Sequence, residues 1–146
     1  MAISAASVMA ERMVADINEG RLFVQRYAIS GDGNDLVAAK AAFDQTDRNL
    51  GRVEARAAEV APQVLPQIEQ LDTRLAALRT RVVAAQNSRG TQGQWQEFSD
   101  SVYGESQEVV DLAIAARESI ETAGETSDAA SQTLIGWLFA SFFGVA

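Results

Sequence analysis

Apolar residues recur along this chain at alternating spacings of three and four. That rhythm marks the buried stripe of a helix packed in a bundle or coiled coil. The first such line is Ile3, Ala6, Ala10, Met13, Ile17, Gly20, Val24 and Tyr27. It predicts a helix from about Ile3 to about Ser30, stopped by the run Ser30-Gly31-Asp32-Gly33-Asn34. Glycine favours a helix end, and Asn34 or Asp35 is suited to cap the next helix. The second line is Leu36, Ala39, Phe43, Thr46, Leu50, Val53, Ala57 and Val60, which predicts a helix from about Asp35 to about Ala61. Gly51 inside it lowers helix propensity by roughly 1 kcal/mol against alanine, and is expected to permit a close helix approach. Pro62 and Pro66 then interrupt the rhythm, and Val60, Val64 and Ile68 are spaced four and four. Proline disfavours helical geometry in the residue before it. The prolines therefore read as a turn, with a kinked continuous helix as the alternative. The third line is Ile68, Leu71, Leu75, Leu78, Val82 and Ala85, a helix from about Gln63–Pro66 to about Ser88.

The fourth stretch, Thr91 to Ala146, reads as one very long helix without proline, with Thr91 as its cap. Its line is Trp95, Phe98, Val102, Glu105, Val109, Leu112, Ala116, Ser119, Ala123, Thr126, Ala130, Thr133, Trp137 and Ala140. The line is bulky as far as Leu112 and then weakens to alanine, serine and threonine. It ends in LIGWLFASFFGVA, residues 134–146, which carry no charge. Thirteen uncharged residues are too few to span a bilayer, which needs about 20 apolar ones. The segment therefore reads as the start of a membrane span, with Trp137 as an interfacial anchor.

Long amphipathic helices joined by short connections imply antiparallel neighbours. The expected fold is all-α: an antiparallel up-down-up-down four-helix bundle with an overlong C-terminal helix, about 40 Å tall at 1.5 Å per residue. Residues 1–122 form the bundle, 123–133 a stalk continuing the last helix, and 134–146 the apolar start of a truncated span. The stalk outruns the first helix, so an upstream extension of that helix, from an earlier span, is expected to cover it. A frayed tail or pairing in a dimer is the alternative.

Composition narrows the chemistry. The 146 residues contain neither cysteine nor histidine. Disulfides, thiolate chemistry and most zinc or di-iron sites are thereby excluded. No nucleophile has a base beside it, so the chain reads as a non-enzyme without cofactor or metal. The net charge of −8 is uneven. Residues 1–90 carry eleven acids and eleven bases, and residues 91–146 carry nine acids and Arg117 alone. Nucleic acid needs a basic face and is not an expected partner. The span's flank from Glu118 to Asp128 is purely acidic, whereas cytoplasmic flanks favour Lys and Arg, which points outward from the cytoplasm.

Arg21 lies beside Gly20 at the edge of the predicted core. A planar guanidinium there can grip a carboxylate, nitrate or similar anion. Counting two antiparallel helices from their shared end puts Arg21 near Val102 and Asn18 near Glu105. An internal Arg21–Glu105 ion pair is thus the leading alternative. Arg12, Arg26 and Arg48 read as solvated-face residues, and Arg26 is kept as a weaker ligand contact. Tyr27, Phe23, Trp95 and Phe98 are expected to cluster at one end of the bundle. Asp32, Asn34 and Asp35 lack the spacing and final glutamate of a calcium loop, and read as a turn and cap.

The stretch DINEGRLFVQRYAISGDGNDL, residues 16–36, resembles the first helix and turn of the extracytoplasmic four-helix-bundle sensor domains of bacterial chemoreceptors and sensor histidine kinases. The similarity rests on Asn18, Arg21, Tyr27, Ser30, Gly31 and Asp32. It implies a homodimeric domain on the periplasmic side of the inner membrane, binding a small ligand and passing a displacement along its last helix. The candidate ligand-binding set is Arg21, Asn18, Tyr27 and Arg26. The alternative class is a helical scaffold that binds partner helices or a membrane surface.

Overall fold

The computed structural model describes the backbone of residues 5–88 and 90–142, and the side chains of 7–88 and 90–123. The chain forms four α-helices: α1 (Ala5–Ser30), α2 (Gly33–Val60), α3 (Leu65–Gln86) and α4 (Gln92–Phe142). A short 3-10 turn at Pro62–Val64 joins α2 to α3. No strand occurs among the described residues. α1 packs on α2 and α4, while α3 packs on α2 and α4. The four helices enclose one core, compatible with a four-helix bundle.

Each boundary has a local cause. Gly31 adopts φ +65°, a left-handed geometry natural only to glycine, and its N–H donates to Tyr27 O at 2.7 Å, closing α1. The Asp32 carboxylate accepts from the Asn34 N–H at 2.9 Å and caps α2. The cap is thus Asp32 rather than Asn34 or Asp35, and α2 starts two residues before the expected Asp35. Ser30 Oγ accepts from the Asp32 N–H and donates to Asp35 Oδ2, both at 3.0 Å, so these acids serve the turn. At Ala61 the backbone turns to φ −151°, ψ 62°, which ends α2. The two prolines therefore mark a true break and not a kink. At α4 the expected cap is present in reciprocal form. Thr91 Oγ1 accepts from the Gln94 N–H at 3.4 Å, and Gln94 Oε1 accepts from the Thr91 N–H at 2.9 Å.

Among the described residues the expected lines on α1, α2 and α3 are the buried ones, except that the last members on α2 and α3, Val60 and Ala85, are half-buried. Met13, Ile17, Val24, Phe43, Leu50, Ile68, Leu71, Leu75, Leu78 and Val82 form the centre of the core. On α4 half the line is displaced by one residue. Val102, Val109 and Ala116 are buried as expected, but Ser106, Ala113 and Ile120 replace Glu105, Leu112 and Ser119. The positions at Ile3, Ala6 and beyond Ala123, including the apolar segment 134–146, lie outside the described side chains.

Gly51 makes no close approach: a Cβ added there would meet nothing within 4 Å. The close approach is at Gly20, where a Cβ would lie 2.6 Å from the ring of the fully buried Phe43. Between α2 and α3, Asp44 is held by Lys40 Nζ at 2.8 Å and by Arg79 Nη2 at 2.7 Å, with Asp47 3.4 Å from Arg79. Burial alone would raise the Asp44 carboxyl. The hydrogen bonds and charges of Lys40 and Arg79 outweigh that and hold it below its ordinary value of 3.8.

Two stability predictions follow from these contacts. Gly20→Ala overpacks Phe43, a change that costs about 1–3 kcal/mol and exceeds the roughly 1 kcal/mol gained in helix propensity. Gly51→Ala keeps only that gain. Urea titration is expected to show the first destabilised and the second stabilised; the same sign for both would contradict the packing. Because the folded pKa of Asp44 is depressed, its stabilising effect is complete well above pH 3.8, declines below that value and is lost as pH falls through the lower folded pKa. Asp44→Asn should therefore lower stability at pH 7, and the gap from the parent chain should shrink below about pH 4.

Candidate anion site between α1 and α4

Arg21 is 9% exposed, unusually buried for an arginine. Its place follows from helical geometry. Successive residues turn by about 100°, so Gly20 faces α2 while Arg21 reaches α4. The guanidinium donates from Nη1 to Asn18 Oδ1 at 3.1 Å and from Nη2 to Gln107 Oε1 at 3.3 Å. It also lies over the ring of Tyr103, 4.0 Å from the centroid. A cation against a ring face is favourable by about 0.5–2 kcal/mol. Among the described residues no carboxylate forms an ion pair with Arg21.

The expected Arg21–Glu105 pair is not formed. Glu105 faces the other neighbour: its Oε1 lies 2.9 Å from Arg81 Nη1 on α3, and Arg81 also donates to Ser101. Asn18 likewise meets Arg21 and not Glu105. Counting along two helices gave the correct level but not the face. Asn18 and Arg21 therefore come together as the candidate set required. Tyr27 does not join them. It is buried at the turn end, with its ring centroid 5.7 Å from that of Trp95 and 6.1 Å from that of Phe98. Three members of the expected aromatic cluster thus meet, with Tyr27 buried and Trp95 and Phe98 half-buried, while the ring contact of Phe23 is with Arg26. Arg26 is exposed and lies over Phe23, with 5.6 Å between its guanidinium carbon and the ring centroid. Arg12 and Arg48 are also exposed.

Tyr103 and Gln107 are the site residues the sequence pattern did not select. They are four apart on one flank of α4, a spacing that places them on the same face. Each sits one or two positions off the seam, where an apolar count has no reason to stop. A shallow groove of about 390 Å³ between α3 and α4, lined by Pro66, Glu69, Gln70, Thr73, Arg74 and Leu112, shares none of these residues. Among the described residues no cluster of three or more acids is placed to hold a metal. Nor is any described helix long and apolar enough to cross a membrane.

Comparison with known proteins returned no match: no protein-family model, no curated protein and no solved structure resembles the chain significantly.

The lack of a carboxylate partner has a measurable consequence. Removing one member of a buried ion pair costs about 3–5 kcal/mol, because the other charge is stranded. Arg21→Met strands no charge. Its unfolding free energy in urea should lie within about 1 kcal/mol of the parent. A loss above about 3 kcal/mol would mean that a buried counter-charge exists.

Proposed function

We propose that this chain is the extracytoplasmic signal-sensing domain of a transmembrane chemoreceptor or sensor kinase, and that it binds a small anion at Arg21. The observation that carries the reading is the buried guanidinium with only neutral partners. A cation out of water lacks full compensation unless an anion joins it. A planar guanidinium matches carboxylate-type oxygens with two parallel hydrogen bonds. The sequence resemblance over residues 16–36, which includes Asn18 and Arg21, supports the same class.

The reading includes an up-down-up-down order. What supports it is the pairing of rising with falling residue numbers on neighbouring helices. Glu11 lies near Arg117 and Arg21 near Gln107; Arg74 meets Glu108 and Arg81 meets Ser101. Asp16 with Asn49 and Asp44 with Arg79 follow the same rule. The reading also includes an overlong last helix as the transmitting element. The bounds of α4, 51 residues against 22 to 28 for the others, support that. A homodimer, a membrane contact through the C-terminal end, and a place on the periplasmic face of the inner membrane complete the proposal. The acidic flank and uncharged end of the sequence support the last two.

Thermal unfolding in the presence of nitrate, acetate, dicarboxylates and free amino acids, at constant ionic strength, tests the reading. A ligand at 100 times its Kd stabilises a folded protein by about 2.7 kcal/mol. At least one of these anions should raise the melting temperature, and Arg21→Met, which keeps the packing of the stem, should abolish the rise while the protein stays folded with an unliganded melt close to the parent's. A panel without effect, joined to a stable complex with a partner helix, would favour the scaffold reading.

A further inference from the structure

We infer that Gln107 is the competing acceptor of this site: its amide oxygen occupies Arg21 until an anion oxygen replaces it. The inference rests on the reading of Arg21 as the anion-gripping group. Its own basis is the geometry around Gln107. The Gln107 carbonyl accepts from Arg21 Nη2 at 3.3 Å, beyond the usual 2.7–3.2 Å range for such bonds. The Gln107 amide nitrogen donates to Asp111 Oδ1 at 3.0 Å. A glutamine presents either an acceptor or a donor at its tip. Asp111, four residues along the same helix, takes the donor end and so leaves the acceptor end for Arg21. Gln107 is thereby held as a neutral stand-in for an anion.

The replacement has a preferred direction and shape. The Tyr103 ring covers one face of the guanidinium, so an incoming group approaches in the guanidinium plane, where the N–H bonds point. This selects planar oxyanions, carboxylate or nitrate, over groups that must sit on the face. Asn18 lies on α1 with Arg21, three residues away, and is carried along with it. Gln107 belongs to α4 and is exposed. The longer, inter-helix bond is therefore the one exchanged. The Arg21–Gln107 bond is charged on the donor side alone; an anion adds the attraction between opposite charges, which makes the exchange favourable. Its result is loss of a side-chain link between α1 and α4, with the Tyr103 stack left in place.

The test compares the 146-residue chain with Gln107→Leu and Gln107→Glu. Sodium nitrate and sodium acetate are titrated at constant ionic strength while the Nε–H resonance of Arg21 is followed by NMR, identified by its loss in Arg21→Lys. Leucine keeps the helix and removes the competing acceptor, so affinity should rise by about fivefold, the equivalent of one net hydrogen bond. Glutamate supplies a tethered carboxylate. Affinity should fall by more than about tenfold, and the Arg21 resonance should already be displaced towards its anion-bound position before any salt is added. A parent chain that binds, with both variants binding equally well, overturns the role of Gln107 and leaves the anion site standing. No displacement of the Arg21 resonance in either the parent or Gln107→Leu overturns the anion site and this inference with it.

Discussion

Phe43 is fully buried, and it has room because residue 20 carries no side chain. That contact fixes how near α1 comes to α2 and leaves the two helices little freedom to rotate. Interiors are packed to crystal-like density, so a ring seated against a bare backbone admits few alternative arrangements. The rotation of α1 then dictates what its next residue does. With Gly20 turned to α2, Arg21 is carried to the α4 side, where its stem is covered by the bundle and its head reaches Tyr103 and Gln107. A shift of α1 by one residue would put a charge where the glycine sits. The buried cation is therefore a consequence of core packing, and Asn49 reinforces the register by donating to Asp16 at 2.9 Å on the α1–α2 boundary.

Much of this was legible in the sequence, and the omissions have a common origin. On α1, α2 and α3 the buried line coincides with the bulky residues, so periodicity recovers it. On α4 bulk and burial part company. Leu112 is only half-buried, whereas Ser99, Ser106 and Ala113 lie inside. Small residues on that line let α4 lie close to its neighbours, and a count that prefers large apolar residues slides by one position. The same slip misplaced Glu105. Assigned to the inner seam, it looked like the natural partner of Arg21; rotated towards α3, it meets Arg81. Gly51 failed for a related reason, since a glycine's use depends on what faces it, and residue 51 faces open space. Arg21 itself was legible as an edge residue beside a glycine. Tyr103 and Gln107 were not, because flank positions carry no periodic signal.

The two flanks of α4 are held by different chemistry. Towards α3 the ties are ionic: Arg74 with Glu108 at 2.8 Å and Arg81 with Glu105 at 2.9 Å. Towards α1 the contacts at Arg21 are a ring stack and one hydrogen bond to a neutral acceptor on α4, and the only ion pair among the described residues is the loose one between Arg117 and Glu11 at 3.7 Å. Exposed ion pairs are weak individually, so the asymmetry is not chiefly one of stability. It is one of exchangeability. A neutral acceptor on a cation can be displaced by an anion with a gain in electrostatic energy, whereas a carboxylate already in place cannot.

Arg79 and Arg21 make this contrast within one chain. Arg79 is a third exposed and has two carboxylates, Asp44 and Asp47, so its charge is answered and its task is to hold α2 against α3. Arg21 is far more buried and has none among the described residues. If both were structural, the order of compensation would be reversed, because the need for a counter-charge grows with burial. Guanidinium is tolerable there because it is weakly hydrated and stacks on an aromatic face. Neutral acceptors and a ring make it bearable without neutralising it. What remains is an uncompensated positive charge in a part-dry setting, where an added anion interacts more strongly than it would in water. Arg21 is thus held by neutral acceptors and a ring, whereas the more exposed Arg74, Arg79 and Arg81 each meet a carboxylate, and the proposal of an anion partner rests on that contrast.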